Sequence, residues 1–186
     1  RQRRHGRLEH PFGTLCQRSE CSRRTIRTVL EESEDATIVL DLNLRQQFYN
    51  PEIISDSLDR CTILKLNLAE VNRIRELLGV PGSEKNFIRT LMDDHGIELC
   101  CVTRGEDGCR LYAHDEQISS PVPTTEVKDT VGCGDAFAAG LVVQYLRDRP
   151  LESIARGATL LGSYVAKCRG AMPRVPDRII RRFNST

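Results

Sequence analysis

The chain lacks several things at once. No apolar run approaches the length of a membrane span, and no signal-peptide hydrophobic region is present. The formal net charge is only +1 over 186 residues, which argues against a surface-wide attraction to nucleic acid or to an anionic membrane. No two cysteines form a CxxC pair, and no histidine lies at zinc-finger spacing from one, so a structural zinc site is not expected. No internal repeat is visible. What is present is globular: 39% hydrophobic and 28% charged residues, enough for a real core in one domain or one and a fraction. The eight cysteines, at 16, 21, 61, 100, 101, 109, 133 and 168, include several inside apolar runs such as "IELCCVT". Reduced thiols serving as small core residues are expected, and with them a cytoplasmic, reducing compartment. The one basic block, "RQRRHGR", stands at the start and reads as a disordered end rather than a targeting or nucleic-acid arm.

Periodicity predicts alternating elements. "SRRTIRTVLEES", 22–33, reads as an amphipathic helix with Ser22 as N-cap and Ile26, Val29 and Leu30 on its apolar face. "ATIVLDLN", "CTILKLN" and "IELCCVTRG" read as strands buried on both faces with polar C-terminal ends. Helices are expected over 68–79, 84–96, 134–148 and 151–168, and "CRLYAH" with "EQISSPVP" as a hairpin or meander at a sheet edge. Alternating strands and helices imply an α/β layered fold with a mainly parallel sheet. Ligands in such sheets bind beyond the C-terminal strand ends. The polar ends "DLNLR", "KLNLAE" and "TRGEDG", with one glycine turn, are therefore expected to converge on one cleft.

That turn is "DTVGCGDAFAAG", 129–140. Gly132 and Gly134 allow backbone angles closed to other residues, so successive N–H groups can point one way at a helix start, where the dipole is positive. This suits a phosphate. The loop is not a Walker A sequence, because GK[ST] is absent. Two readings stay open: an anion hole with Asp135 beside it, or an ordinary helix start with a dipole-stabilised aspartate. The small residues that follow, Ala136, Ala138, Ala139 and Gly140, suggest close packing or close approach by a ligand.

"DTVGCGDAFAAG" resembles the C-terminal signature, DTxGAGD, of the ribokinase-like (PfkB) carbohydrate kinases. "FGTLCQRS", "DLNLRQQFYNPEII", "ILKLNLAEV", "VTRGEDGC" and "GAMP" follow the order and rough spacing of that family, particularly its fructokinase-like sugar kinases, from about Phe12 to about Pro176. The resemblance implies a ribokinase-like fold and transfer of the ATP γ-phosphate to a sugar hydroxyl. Asp135 matches the catalytic base, and the N–H groups of Gly132, Cys133 and Gly134 match the anion hole. Asp129 and Thr130 fall near a monovalent-cation (K⁺) site that many members use. Asn67 and Glu70 match an NxxE element that organises Mg²⁺ and its waters. Asp41, Asn43 and Arg45 line the cleft on the substrate or phosphate side, Arg45 as a bidentate anion binder. Thr103, Gly105 and Gly108 match the nucleotide-side loop, and Thr159 stands where relatives often place an asparagine beside adenine.

Blander readings run beside these. Asn67 and Glu70 can be a capping pair at the start of helix 68–79, which is compatible with a phosphate site. Arg45 can be a solvated loop arginine, and "TRGEDG" only a hairpin turn. Cys133 stands where the family usually has alanine. A thiol at a helix N-terminus is expected to have a lowered pKa and to react readily. Residues 1–11 resemble no buried element of the family, so they are expected to be disordered or non-authentic. Residues 12–186 then correspond to the C-terminal, nucleotide-binding portion, without the lid and the sugar-binding part. An exposed strand edge would follow, with aggregation or a homodimer as the risk. The first functional expectation is an ATP-dependent sugar kinase, or a piece of one, acting on a monosaccharide such as fructose or a keto-deoxy sugar acid. The alternatives are a non-catalytic nucleotide-binding or regulatory module, and a nucleoside kinase of the same superfamily.

Overall fold

The structure, a computed structural model, describes residues 8–33, 36–46, 48–123 and 126–186. The basic block over 1–7 lies outside the described residues. The chain forms two compact units: the first runs to Thr103 and takes in Tyr112–Glu116, and the second comprises Arg104–Leu111 and Gln117–Thr186.

In the first unit, strands β1 (Leu8–Phe12), β2 (Thr37–Asp41), β3 (Ile63–Asn67) and β4 (Leu99–Thr103) lie side by side in chain order. Each neighbouring pair is parallel. Parallel pairing needs a crossover each time. Helix α1 (Glu20–Glu31) lies in the first, α2 (Pro51–Leu58) in the second, and α3 (Leu68–Leu78) and α4 (Glu84–His95) in the third. Val39, Leu40, Ile63, Leu64, Leu66, Cys100, Cys101 and Val102 are all fully buried. That is why these strands read as continuous apolar runs rather than alternating ones. The core gathers Leu40, Leu64 and Val102 from the sheet and Ile54, Leu58, Ile74, Phe87 and Ile88 from the helices. Each such side chain contributes about 1.5–3 kcal/mol relative to exposure.

Three local expectations change. Helix α1 starts earlier than the periodicity implied: Ser19, not Ser22, is the cap, and the Ser22 N–H donates to Ser19 Oγ at 3.1 Å. Helix α2 was not anticipated, although Asn50 caps it through the Ile53 N–H at 2.8 Å and Pro51 begins it. Residues 1–11 were expected to contribute no ordered element, yet Leu8–Phe12 pair with β2 as a strand. Backbone hydrogen bonds need no particular side chains, so a sequence as polar as "LEHPF" can serve.

The second unit holds most of the neighbouring strands β5 (Cys109–Ala113) and β6 (Glu116–Ser120), with helices α5 (Cys133–Leu146), α6 (Leu151–Ala166) and α7 (Asp177–Ser185). The small residues of α5 serve close packing. A Cβ on Gly140 would lie 2.9 Å from Ala158 Cα and 3.0 Å from the Gly157 carbonyl oxygen, so α6 presses backbone against backbone there. Helix α7 is tied to α5 by Gln144 Nε2, which donates to the Phe183 carbonyl at 2.8 Å, and by Arg147, which donates to Asn184 Oδ1 at 2.8 Å.

All eight cysteines are free thiols. Cys61, Cys100, Cys101 and Cys109 are buried as expected of small core residues, whereas Cys16 and Cys21 are exposed. Burial pushes the Cys61 thiol up to about 12. Among the described residues no helix is long and apolar enough to cross a membrane.

Candidate active site

Within the first unit the ends of β2, β3 and β4 lie side by side, while the glycine turn belongs to the second unit. Asp41 at the end of β2 is the register partner of Lys65 on β3, and the Lys65 Nζ donates to Asp41 Oδ2 at 2.7 Å. Asn67 ends β3 in register with Thr103, whose hydroxyl points to the Leu66 carbonyl at 3.4 Å. Asn67 is also the N-cap of α3: its Oδ1 accepts from the Glu70 N–H at 2.9 Å, while Glu70 Oε2 accepts from the Asn67 N–H at 2.8 Å. This reciprocal capping box is the structural reading of NxxE. Glu70 goes further, since its other oxygen, Oε1, accepts from the Leu44 N–H at 3.0 Å. One buried carboxylate thus fastens the "DLNL" turn to the β3–α3 junction. Burial pushes the Glu70 carboxyl up; the two amides oppose that shift, Asp41 adds to it and Lys65 counters it.

The turn itself is shaped from below. A Cβ on Gly13 would lie 2.4 Å from the Asp41 carbonyl oxygen, so only glycine admits that approach. The buried Thr14 donates its N–H to the Leu42 carbonyl at 3.1 Å and its hydroxyl to the Asn43 carbonyl at 2.8 Å. Asn43 takes a positive φ of 42°, which asparagine tolerates better than most residues. Arg45 is exposed, and among the described residues no hydrogen bond or ion pair engages its guanidinium.

These observations bear on magnesium. Asn67 Oδ1 accepts one bond from the helix, Asp41 Oδ2 one from Lys65, and each Glu70 oxygen one from an amide. A carboxylate has about four lone-pair sites, so Glu70 retains two. The set fits a hydrated Mg²⁺ held through its waters better than one stripped and bound directly.

The second unit carries the glycine turn. Gly132 is the N-cap of α5, with a φ of 78°. A Cβ there would stand 2.2 Å from the Ala171 carbonyl oxygen. Among the described residues, no acceptor engages the N–H groups of Gly132, Gly134 or Asp135. The expectation that Cys133 contributes its N–H is corrected: that group donates to the Thr130 carbonyl at 3.3 Å. The free donors at the helix start are therefore Gly134 and Asp135, with Gly132 just before them. Asp135 occupies the third position of α5, exposed, and among the described residues no partner engages its carboxylate.

Asp129 is engaged on both oxygens, accepting from the Val131 N–H at 3.0 Å and from the Gly170 N–H at 2.9 Å. Those amides hold its carboxyl below the usual carboxylate value. Cys133 reverses a further expectation. Its thiol donates to the Asp129 carbonyl at 3.6 Å, and burial, aided by Asp129, pushes its pKa up rather than down.

On the nucleotide-side loop, Gly105 and Gly108 take positive φ, and Arg104 N–H donates to the Gly108 carbonyl at 2.8 Å. A Cβ on Gly108 would meet the Ser120 carbonyl oxygen at 2.0 Å. Thr159 is not placed for a ligand. It is 4% exposed, and its hydroxyl donates to the Ala155 carbonyl at 2.7 Å, with Ser120 and Cys109 beside it. The expected contact with adenine is corrected accordingly. Lys65 is the functional-region residue that the sequence did not single out. Its one signal was a charged side chain inside an otherwise apolar strand.

Residues 18–178 match the family model described as pfkB family carbohydrate kinase. The chain belongs to that family. It is 31% identical over 147 residues to a 2-dehydro-3-deoxygalactonokinase of Haloferax volcanii, covering 75% of this chain and 45% of that protein. Fructokinase-1 of Oryza sativa subsp. japonica is 26% identical over 183 residues, covering 90% of this chain and 55% of that one. The chain thus spans about half the length of these curated relatives. Among solved structures, a fructokinase of Xylella fastidiosa with bound ATP shares the fold, with a TM-score of 0.80 at 16% identity over 94% of this chain and 61% of that one.

Proposed function

We propose that this chain belongs to an ATP-dependent carbohydrate kinase, transferring the γ-phosphoryl group of ATP to a hydroxyl of a small sugar. The observation that carries the reading is the first turn of α5. It offers an exposed Asp135 carboxylate and N–H donors at Gly134 and Asp135, all without a partner among the described residues, within a chain of this family. Asp135 takes the proton of the acceptor hydroxyl as that oxygen bonds to the γ-phosphorus and the bond to the β,γ-bridging oxygen breaks. The free amides and the positive end of α5 stabilise charge on the phosphate oxygens.

Glu70, with two lone pairs left, is assigned to a water of Mg²⁺; the ion, when bound, neutralises phosphate charge. Arg45, exposed and unengaged among the described residues, is the candidate ligand for an anionic group of substrate or nucleotide. The named activities of the two curated relatives, on a keto-deoxy sugar acid and on fructose, support one of these as acceptor. Eight free thiols are consistent with a cytoplasmic location. A homodimer and use of K⁺ belong to the same proposal.

The test is calorimetric binding of ATP with Mg²⁺ together with a coupled turnover assay on a panel of ketoses, keto-deoxy sugar acids and nucleosides. Micromolar to millimolar ATP binding with turnover on a sugar supports the reading. Binding without turnover on any acceptor supports a nucleotide-binding module instead, and turnover on nucleosides alone moves the assignment to a nucleoside kinase.

A further inference from the structure

Asp129 opens the glycine turn, half-buried and closely held. Its Oδ1 accepts from Val131 N–H, two residues on, as in an ordinary Asx turn. Its Oδ2 reaches 41 residues along the chain to accept from Gly170 N–H at 2.9 Å. The backbone on the same side is anchored too, since the N–H groups of Lys128 and Asp129 donate to the Ala166 carbonyl at 2.8 and 3.3 Å. The Ala171 carbonyl also lies against Gly132, where a Cβ would stand only 2.2 Å away. The carboxylate pulls on Gly170, and the next residue rests on the N-cap of α5.

We infer that Asp129 is a positioning residue, whose carboxylate clasps the Gly170–Ala171 segment onto the glycine turn and so fixes the aim of the free Gly134 and Asp135 amides. The inference rests on the kinase reading above for its functional consequence, but not for the clasp itself. It is a role separate from ligation of a monovalent cation, since each Asp129 oxygen accepts one amide and keeps a lone pair. A missing side chain at Gly132 and a paired carboxylate at Asp129 are two halves of one arrangement: the first lets the segment approach, the second holds it there.

The test uses the whole chain with Asp129→Asn and Asp129→Ala. Asparagine keeps one accepting oxygen and alanine keeps none. Loss of a charge-assisted hydrogen bond at each amide is expected to speed hydrogen exchange at Val131 and Gly170 by about 10-fold in the alanine variant, with the asparagine variant between it and wild type. The Gly134 and Asp135 amide resonances are expected to move. The ATP dissociation constant is expected to rise about 10-fold in the alanine variant while the acceptor KM stays put, a split that general destabilisation would not give.

If wild type binds ATP and both variants bind it equally well with unmoved resonances, the positioning role is overturned and the kinase reading stands. If raising KCl restores ATP affinity in both variants, Asp129 is a cation ligand and the positioning role is overturned. If wild type binds no ATP, the kinase reading fails separately. The clasp is then upheld by faster exchange at Gly170 with moved Gly134 and Asp135 resonances, and overturned by their constancy.

Discussion

Asp135 asks little of its neighbours: among the described residues nothing pairs with its carboxylate, and solvent reaches it. An exposed, unpartnered side chain contributes little to stability, so Asp135→Asn should leave the melting temperature within about 2 °C of wild type, read by calorimetry. Lys65 is the opposite case. It is 8% exposed and holds Asp41 at 2.7 Å, so Lys65→Met strands a carboxylate in a partly buried place. Urea unfolding should register a loss of about 3 kcal/mol. Cys133 tests the electrostatics of the turn. Its pKa is raised from 9.0. The reactive thiolate is then a small fraction at neutral pH that grows as pH rises, so iodoacetamide labelling, followed by mass spectrometry, should be slow at pH 7 and still rising past pH 9. Cys16 and Cys21, being exposed, should label first at neutral pH. Of these residues the sequence pointed to Asp135 through its motif, but it was misleading at Cys133. A helix N-terminus lowers a thiol pKa only if burial and nearby negative charge do not outweigh it, and burial depends on tertiary packing.

At the scale of elements, the β3–α3 junction is where capping and chemistry share one residue. Glu70→Ala removes both halves of what that carboxylate does, the box with Asn67 and the bond to Leu44. Urea unfolding should show about 2 kcal/mol lost, with Glu70→Gln recovering part of it by keeping one acceptor. Helices α3 and α4 were legible because their signals are local: Asn67 and Ser83 at the caps, Gly79 and Gly96 in left-handed conformation at the ends. Strands β2, β3 and β4 were legible because burial on both faces leaves unbroken apolar runs. Strand β1 was not, because its order comes from pairing with β2 and not from its own composition. Helix α2 was passed over despite Asn50 and Pro51, since its eight residues offer barely two turns of periodicity. The small residues of α5 left packing and ligand approach undecided; Gly140 against Ala158 answers for packing.

For the whole molecule, the order of the motifs revealed the family before any contact was known, and the match over residues 18–178 agrees with it. What the motifs could not give was the state of each group within them. Cys133 N–H is spent on Thr130, Thr159 is turned inward, and Asp129 is engaged on both oxygens, all consequences of three-dimensional packing. Two compact units result, one with the parallel strand ends and Glu70, the other with the glycine turn and Asp135. The central claim is that Asp135 is the base of a phosphoryl transfer. The direct measurement is coupled ADP release with ATP, Mg²⁺ and the best acceptor sugar, for wild type and Asp135→Asn, alongside the ATP dissociation constant of each. Turnover should fall by about 10²–10⁴-fold in the variant while ATP affinity changes less than about twofold. Equal turnover by the two proteins would contradict the assignment.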